Sequence, residues 1–134
     1  MVVVGAGLVG ATFALAASRI GFRVDLLSKA PPPVPPDPDS GRVYALSQGS
    51  RALLQSVGVW QRLDPARIQA VVGMRVSGDR PGAAIDLDAL EGGVEALAWI
   101  VESDAVAWAL AEQIAADDGI TCRWREQPDR KSVV

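Results

Sequence analysis

Hydrophobic positions in the first thirty residues change period twice. Val2-Val3-Val4 is an unbroken β-branched run, Ala11 to Ile20 is rich in helix formers, and Phe22 to Leu27 returns to a strand pattern. The valine run predicts a short strand buried on both faces, and Gly21 stands where a left-handed residue would end the helix. Further on, Ser47-Gln48-Gly49-Ser50 predicts a serine-capped entry to a helix over Arg51 to Val57; Gly58 closes it, and Val59 to Leu63 makes a second turn. Val71 to Ser77 alternates as a strand, and the turn signal Asp79-Arg80-Pro81-Gly82 folds Ala83 to Asp88 back on it as a hairpin. After the loop Glu91-Gly92-Gly93 comes a strand, Leu97 to Val101. Ser103 then caps a helix through Asp117 whose apolar stripe is Val106, Ala107, Leu110, Ala111 and Ile114. Gly119 closes that helix, Ile120 to Arg125 reads as a late strand, and Glu126 to Val134 is an unpatterned tail.

This order predicts an α/β fold: a Rossmann-like βαβ start, an inserted β-hairpin or meander, then strand, helix, strand. Residues 1–30 form the dinucleotide motif and 31–41 a proline-rich loop. Residues from about 70 to 101 begin an inserted β element, and 102–125 return to the nucleotide fold. The run Pro31-Pro32-Pro33-Val34-Pro35-Pro36-Asp37-Pro38 reads as a stiff surface connection.

Between the first strand and the first helix lies Gly5-Ala6-Gly7-Leu8-Val9-Gly10, a G-x-G-x-x-G sequence in the context that gives it meaning. Gly5 permits the tight turn, Gly7 lets backbone approach a pyrophosphate, and Gly10 allows helix and strand to pack closely; the helix start supplies free N–H groups and a positive dipole. At the end of the second strand, where an acid usually accepts both ribose hydroxyls, stands Ser28, followed by Lys29. A neutral polar residue beside a cation suits a 2′-phosphate, so an NADP-type reading stays open, as does a nucleotide fold that binds weakly or not at all.

Composition narrows the chemistry. The 134 residues carry 13 Lys+Arg against 16 Asp+Glu, no histidine and one cysteine, Cys122. Histidine-based triads and imidazole zinc sites are excluded, as are a disulfide framework and a multi-thiolate metal site. The acidic balance offers no basic face for nucleic acid. Met1 to Ser18 is uncharged, but glycines interrupt it early and Arg19 follows, which is too short for a membrane span; no basic stretch precedes Val2 as in a signal peptide. A cytoplasmic protein is expected, with room for peripheral membrane contact. The four tryptophans, spread singly, read as packing residues, and Cys122 as a small buried hydrophobe.

The glycine run, Arg42-Val43-Tyr44-Ala45-Leu46-Ser47, Ser50-Arg51-Ala52-Leu53-Leu54, Gly58-Val59-Trp60 and Trp99-Ile100-Val101-Glu102 together resemble the N-terminal portion of FAD-dependent aromatic hydroxylases, most nearly those of ubiquinone biosynthesis. The resemblance covers about Met1 to Thr121. It implies FAD as cofactor, NAD(P)H as reductant, and a small aromatic substrate, a polyprenylated phenol, hydroxylated with O₂. By position, Gly5, Ala6, Gly7, Leu8, Val9 and Gly10 would cradle the FAD pyrophosphate, Ser28 and Lys29 would face the adenosine ribose, and Arg42 would reach the flavin side or the pyrophosphate. No catalytic and no metal-binding residue is assigned. Members of the family are longer and usually carry Glu where Ser28 stands, and many carry Arg near Asp104. Their later flavin-contacting Asp-Gly and Gly-Asp stretches have no convincing match, so the fold is expected to be incomplete and this chain inactive alone.

Overall fold

A computed structural model of the chain describes residues 1–37, 41–80 and 82–126. Pro38, Asp39, Pro81 and all but the first residue of the expected tail lie outside the described residues. The opening unit is β1 (Val2–Val4), α1 (Leu8–Arg19) and β2 (Val24–Ser28), with β1 and β2 parallel. The helix begins three residues earlier than its composition suggests, because the glycine turn leads directly into it and Gly7 serves as N-cap. At its other end Gly21 has φ +96°, the left-handed conformation that glycine adopts without steric cost.

After the proline-rich loop come β3 (Val43–Leu46), α2 (Gln48–Ser56), two short 3₁₀ turns at Trp60–Arg62 and Pro65–Arg67, and β4 (Gln69–Val71). β5 (Gly73–Ser77) and β6 (Ala84–Asp88) follow, then β7 (Ala98–Glu102), α3 (Ser103–Ala115) and β8 (Ile120–Trp124). Three sheets result: parallel β1-β2-β8, antiparallel β3-β7-β4, and the hairpin β5-β6. The predicted strand over Val71 to Ser77 is in fact two strands in different sheets. β4 pairs with β7, β5 pairs with β6, and exposed Val72 is the break between them.

Of the two serines in the expected entry, Ser47 caps α2, its Oγ accepting the Ser50 N–H, so the helix starts at Gln48 rather than Arg51. Ser103 does not cap α3. Glu102 occupies the N-cap position, and Ser103 is the first helical residue, buried, with its hydroxyl bonded to Asp104. β7 pairs through Glu102, so the strand runs one residue further and moves the helix start with it. The buried face of α3 is Val106, Ala109, Leu110 and Ile114; Ala107 and Ala111 are only half-buried, a rotation of the stripe by one residue.

The core lies between the parallel sheet and helices α1 and α3. Ala14 and Leu15 of α1, Leu26 of β2, Leu110 of α3, and Val57 and Val59 after α2 are its innermost members. Strand alternation sends Val24, Leu26 and Ser28 into it and leaves Asp25 and Leu27 on the other face. The pairing register puts Val2 opposite Asp25 and Val4 opposite Leu27, on that same outer face. This corrects the expectation that β1 is buried on both sides: Val2 and Val4 are 61% and 57% exposed. Among the described residues the helices cover one face of the sheet, and β1 has a neighbour on one edge only.

Candidate functional site

The glycine turn sits at the C-terminal ends of β1 and β2, where open α/β sheets bind ligands. Gly5 adopts φ +102°, and its N–H donates to the Leu27 carbonyl at 2.8 Å, fixing the turn against the end of β2. A Cβ on Gly10 would lie 1.9 Å from the Gly5 carbonyl oxygen, so only glycine lets α1 start this close to the turn. Gly7 is the opposite case: a Cβ there meets nothing within 4 Å. The space in front of Gly7 is open, at the positive end of a twelve-residue helix with no acidic residue in its first turn. That is the geometry of an anion cradle. The six residues singled out for this role, Gly5, Ala6, Gly7, Leu8, Val9 and Gly10, thus lie in one turn and the first helical residues after it.

The ribose end is arranged differently. Ser28 is only 5% exposed, and its Oγ accepts the Ala30 N–H at 3.2 Å, so the hydroxyl is turned back on its own chain. Lys29, next to it, is exposed. β2 itself ends in Ser28 rather than a carboxylate, and Glu126, after β8, adjoins it, its N–H donating to the Ser28 carbonyl at 2.9 Å.

Arg42 precedes β3, and its carbonyl accepts the Ser103 N–H at 3.0 Å, continuing the β3–β7 ladder by one residue. Tyr44 and Leu46, two and four residues later, line an open apolar groove beside α1, and strand alternation places Arg42 on their face. The groove's other wall is Leu8, Val9 and Phe13, with Leu53 of α2 closing one end. Val9 is 85% exposed, and Phe13 and Tyr44 also face solvent. Sequence reasoning missed Phe13, Tyr44 and Leu53. The signal was available in α1, where Val9, Phe13 and Ala16 fall on one face, distinct from the buried Ala11, Ala14 and Leu15.

Other charged and reactive groups stand apart from the cradle. Arg67 holds Glu102 through two hydrogen bonds, one from Nε at 2.7 Å, and this keeps the Glu102 carboxyl below the ordinary carboxylate range. Partial burial pushes the Cys122 thiol up, making it a poor nucleophile, although the residue is half-buried rather than buried as expected. Trp60 and Trp99 pack edge to face at 6.4 Å with the Arg51 guanidinium over both rings. No helix among the described residues is long and apolar enough to cross a membrane.

The chain is 33% identical to the human protein named ubiquinone biosynthesis monooxygenase COQ6, mitochondrial, over 97% of its own length and 29% of that relative. It is 31% identical to 3-demethoxyubiquinol 3-hydroxylase of Escherichia coli K12, over 90% of this chain and 31% of the relative. The chain is homologous to a part of each of these two proteins. It spans about three-tenths of the length of these homologues. No protein-family model matches it. Among solved structures, p-nitrophenol 4-monooxygenase PnpA of Pseudomonas putida DLL-E4 superposes with TM-score 0.66 at 23% identity, covering 92% of this chain and 31% of that one. PqsL of Pseudomonas aeruginosa, described as a probable FAD-dependent monooxygenase, superposes with TM-score 0.68 at 17% identity, covering 97% and 35%. At such identities the likeness is one of fold, and the fold is the Rossmann-like α/β arrangement expected from the βαβ start.

Proposed function

We propose that this chain is the FAD-binding part of a flavin-dependent aromatic hydroxylase, acting in the cytoplasm on a polyprenylated phenol in ubiquinone biosynthesis. The observation that carries the proposal is the glycine turn: Gly5 left-handed, Gly10 closed against it, and Gly7 open in front of a helix start. The residues fit the diphosphate of FAD. Backbone N–H groups from Gly7 to Gly10 hold its charge, Arg42 adds a cation from the β3 side, and the groove of Phe13, Tyr44 and Leu53 offers apolar walls to an aromatic ring system. When bound, the flavin supplies the redox chemistry, with NAD(P)H as the source of electrons. This chain's own residues bind and orient; none among the candidates is an acid–base catalyst.

The test is titration of the purified chain with FAD, read by flavin fluorescence and by heat, beside the variant Gly7→Asp. Asp is a favoured N-cap and finds open space at this position, so the fold keeps its melting temperature. The carboxylate meanwhile stands where the diphosphate must lie. Saturable FAD binding by the native chain, lost in the variant, is expected. Equal FAD affinity in both chains, or none in the native chain, refutes the cradle.

A further inference from the structure

We propose that Glu126, at the exit of β8, accepts the hydrogen bonds of the adenosine ribose hydroxyls, a role that the last residue of β2 leaves unfilled. The inference rests on the nucleotide cradle proposed above and names the group that holds its far end. β2 and β8 are parallel neighbours, with Val24 opposite Ile120 and Ser28 opposite Trp124. Val24 gives its N–H to the Gly119 carbonyl. Continued at that register, the ladder would bring the N–H of residue 125 to the Ser28 carbonyl. It does not. Arg125 turns left-handed at φ +63°, the only non-glycine residue to do so among the described residues, and Glu126 makes the bond instead, at 2.9 Å. The ladder thus carries one extra residue at its end, a bulge, and the bulge sets a glutamate beside Ser28 where regular pairing would set an arginine.

A ribose diol needs an acceptor, and a carboxylate can take both hydroxyls. Ser28 cannot serve, being buried with its Oγ engaged by the Ala30 N–H. Asp25 lies opposite Thr121, three residues short of the exit. Glu126 has the freedom that both lack. It is exposed, and its carboxylate stands 3.9 Å from Arg123 Nη1, too long for a hydrogen bond, so its lone pairs remain for a ligand. Strand order sets the distance. The Gly5 N–H bonds the Leu27 carbonyl from one side of β2, and the Glu126 N–H bonds the Ser28 carbonyl from the other. The glycine turn and Glu126 are therefore about two strand spacings apart, roughly 9–10 Å. That interval suits an adenosine diphosphate, whose ribose hydroxyls lie one sugar away from its phosphates.

ADP and 2′-deoxy-ADP differ by one ribose hydroxyl, so calorimetric titration of the chain with each reads this contact apart from the cradle, with FAD as a third ligand. ADP is expected to bind about tenfold tighter than its deoxy analogue, the gain of a hydrogen bond to a charged acceptor. Glu126→Ala keeps the backbone N–H that joins Ser28 and alters only an exposed side chain, so the melting temperature should hold. In that variant ADP should fall to the level of 2′-deoxy-ADP, whose own affinity stays the same, and FAD should weaken by a similar factor. Arg125→Gly, which retains the left-handed turn, should leave the preference in place. Equal native affinity for ADP and 2′-deoxy-ADP overturns the inference, as does a preference that survives Glu126→Ala. If FAD binds equally to the native chain and to Glu126→Ala, the cradle stands and the acceptor falls. If none of the three ligands binds, both fall together.

Discussion

Replacing Gly10 by alanine tests the fold at the point where helix and strand are closest. The added methyl would sit 1.9 Å from the Gly5 carbonyl oxygen and 3.1 Å from its carbon, whereas real Cβ contacts stay beyond 3.0 Å. The two segments must therefore part by more than 1 Å. What has to yield is backbone, held by the 2.8 Å bond from Gly5 to Leu27 and by the left-handed φ of Gly5, so no rotamer change relieves the contact. Overpacking of this kind costs about 1–3 kcal/mol. Alanine's better helix propensity returns about 1 kcal/mol. Because rigid backbone is the obstacle, the upper part of the range applies and a net loss of about 1–2 kcal/mol is expected. For a chain of this size that lowers the melting temperature by about 3–8 °C. Thermal unfolding followed by circular dichroism measures it directly. A melting temperature for Gly10→Ala equal to or above that of the native chain would show that α1 does not start against the turn, and the reasoning would fail. Gly7→Asp serves as the control, since its side chain meets open space.

Two further predictions concern contacts outside the cradle. Asp117 Oδ1 accepts both the Ser18 hydroxyl at 2.8 Å and the Gly119 N–H at 2.9 Å, joining α1 to the turn that launches β8. Asp117→Ala should therefore lower stability in denaturant by about 1–2 kcal/mol, and Asp117→Asn, which keeps an acceptor oxygen, by clearly less; equal losses would discount the bond. Glu102 titrates below its ordinary value near 4.5, through the hydrogen bonds from Arg67 first and the guanidinium charge second. A carboxylate depressed on folding adds stability above its unfolded pKa and loses it as pH falls through the folded one. Melting temperature should accordingly decline more steeply below about pH 4.5 in the native chain than in Glu102→Gln. Parallel acid limbs for the two would count against the pair.

Where local physics decides, the sequence was readable. Gly21, Gly58 and the Ser47 cap act through one or two residues, and each marks its helix as the pattern implied. The βαβ start and the β5–β6 hairpin were legible for the same reason. What escaped depends on neighbours distant in sequence. Three valines in a row look the same whether a sheet is covered on one face or two, and only the partner strands reveal that Val2 and Val4 face outward. Val71 and Gly73 belong to a single alternating run, yet tertiary pairing assigns them to different sheets. At the site, the glycine spacing announced the cradle but not its far end. Ser28 gave no sign in the sequence that its hydroxyl would turn back on its own chain. The tryptophans did read as packing residues, though not that Trp60 and Trp99 would enclose Arg51.

The pairing of β2 with β8 sets a timetable for synthesis. Val24 to Ser28 find their second neighbour only in Ile120 to Trp124, about a hundred residues later. At typical rates of elongation the ribosome needs about 5–20 s to make that stretch. Throughout the interval β2 has one edge unpaired, and Val24 and Leu26 wait for the Leu110 and Ile120 that will enclose them. An apolar strand with a bare edge is a template for wrong partners. Yield of the soluble chain therefore depends on how this nascent strand is shielded until β8 has emerged, as well as on final stability.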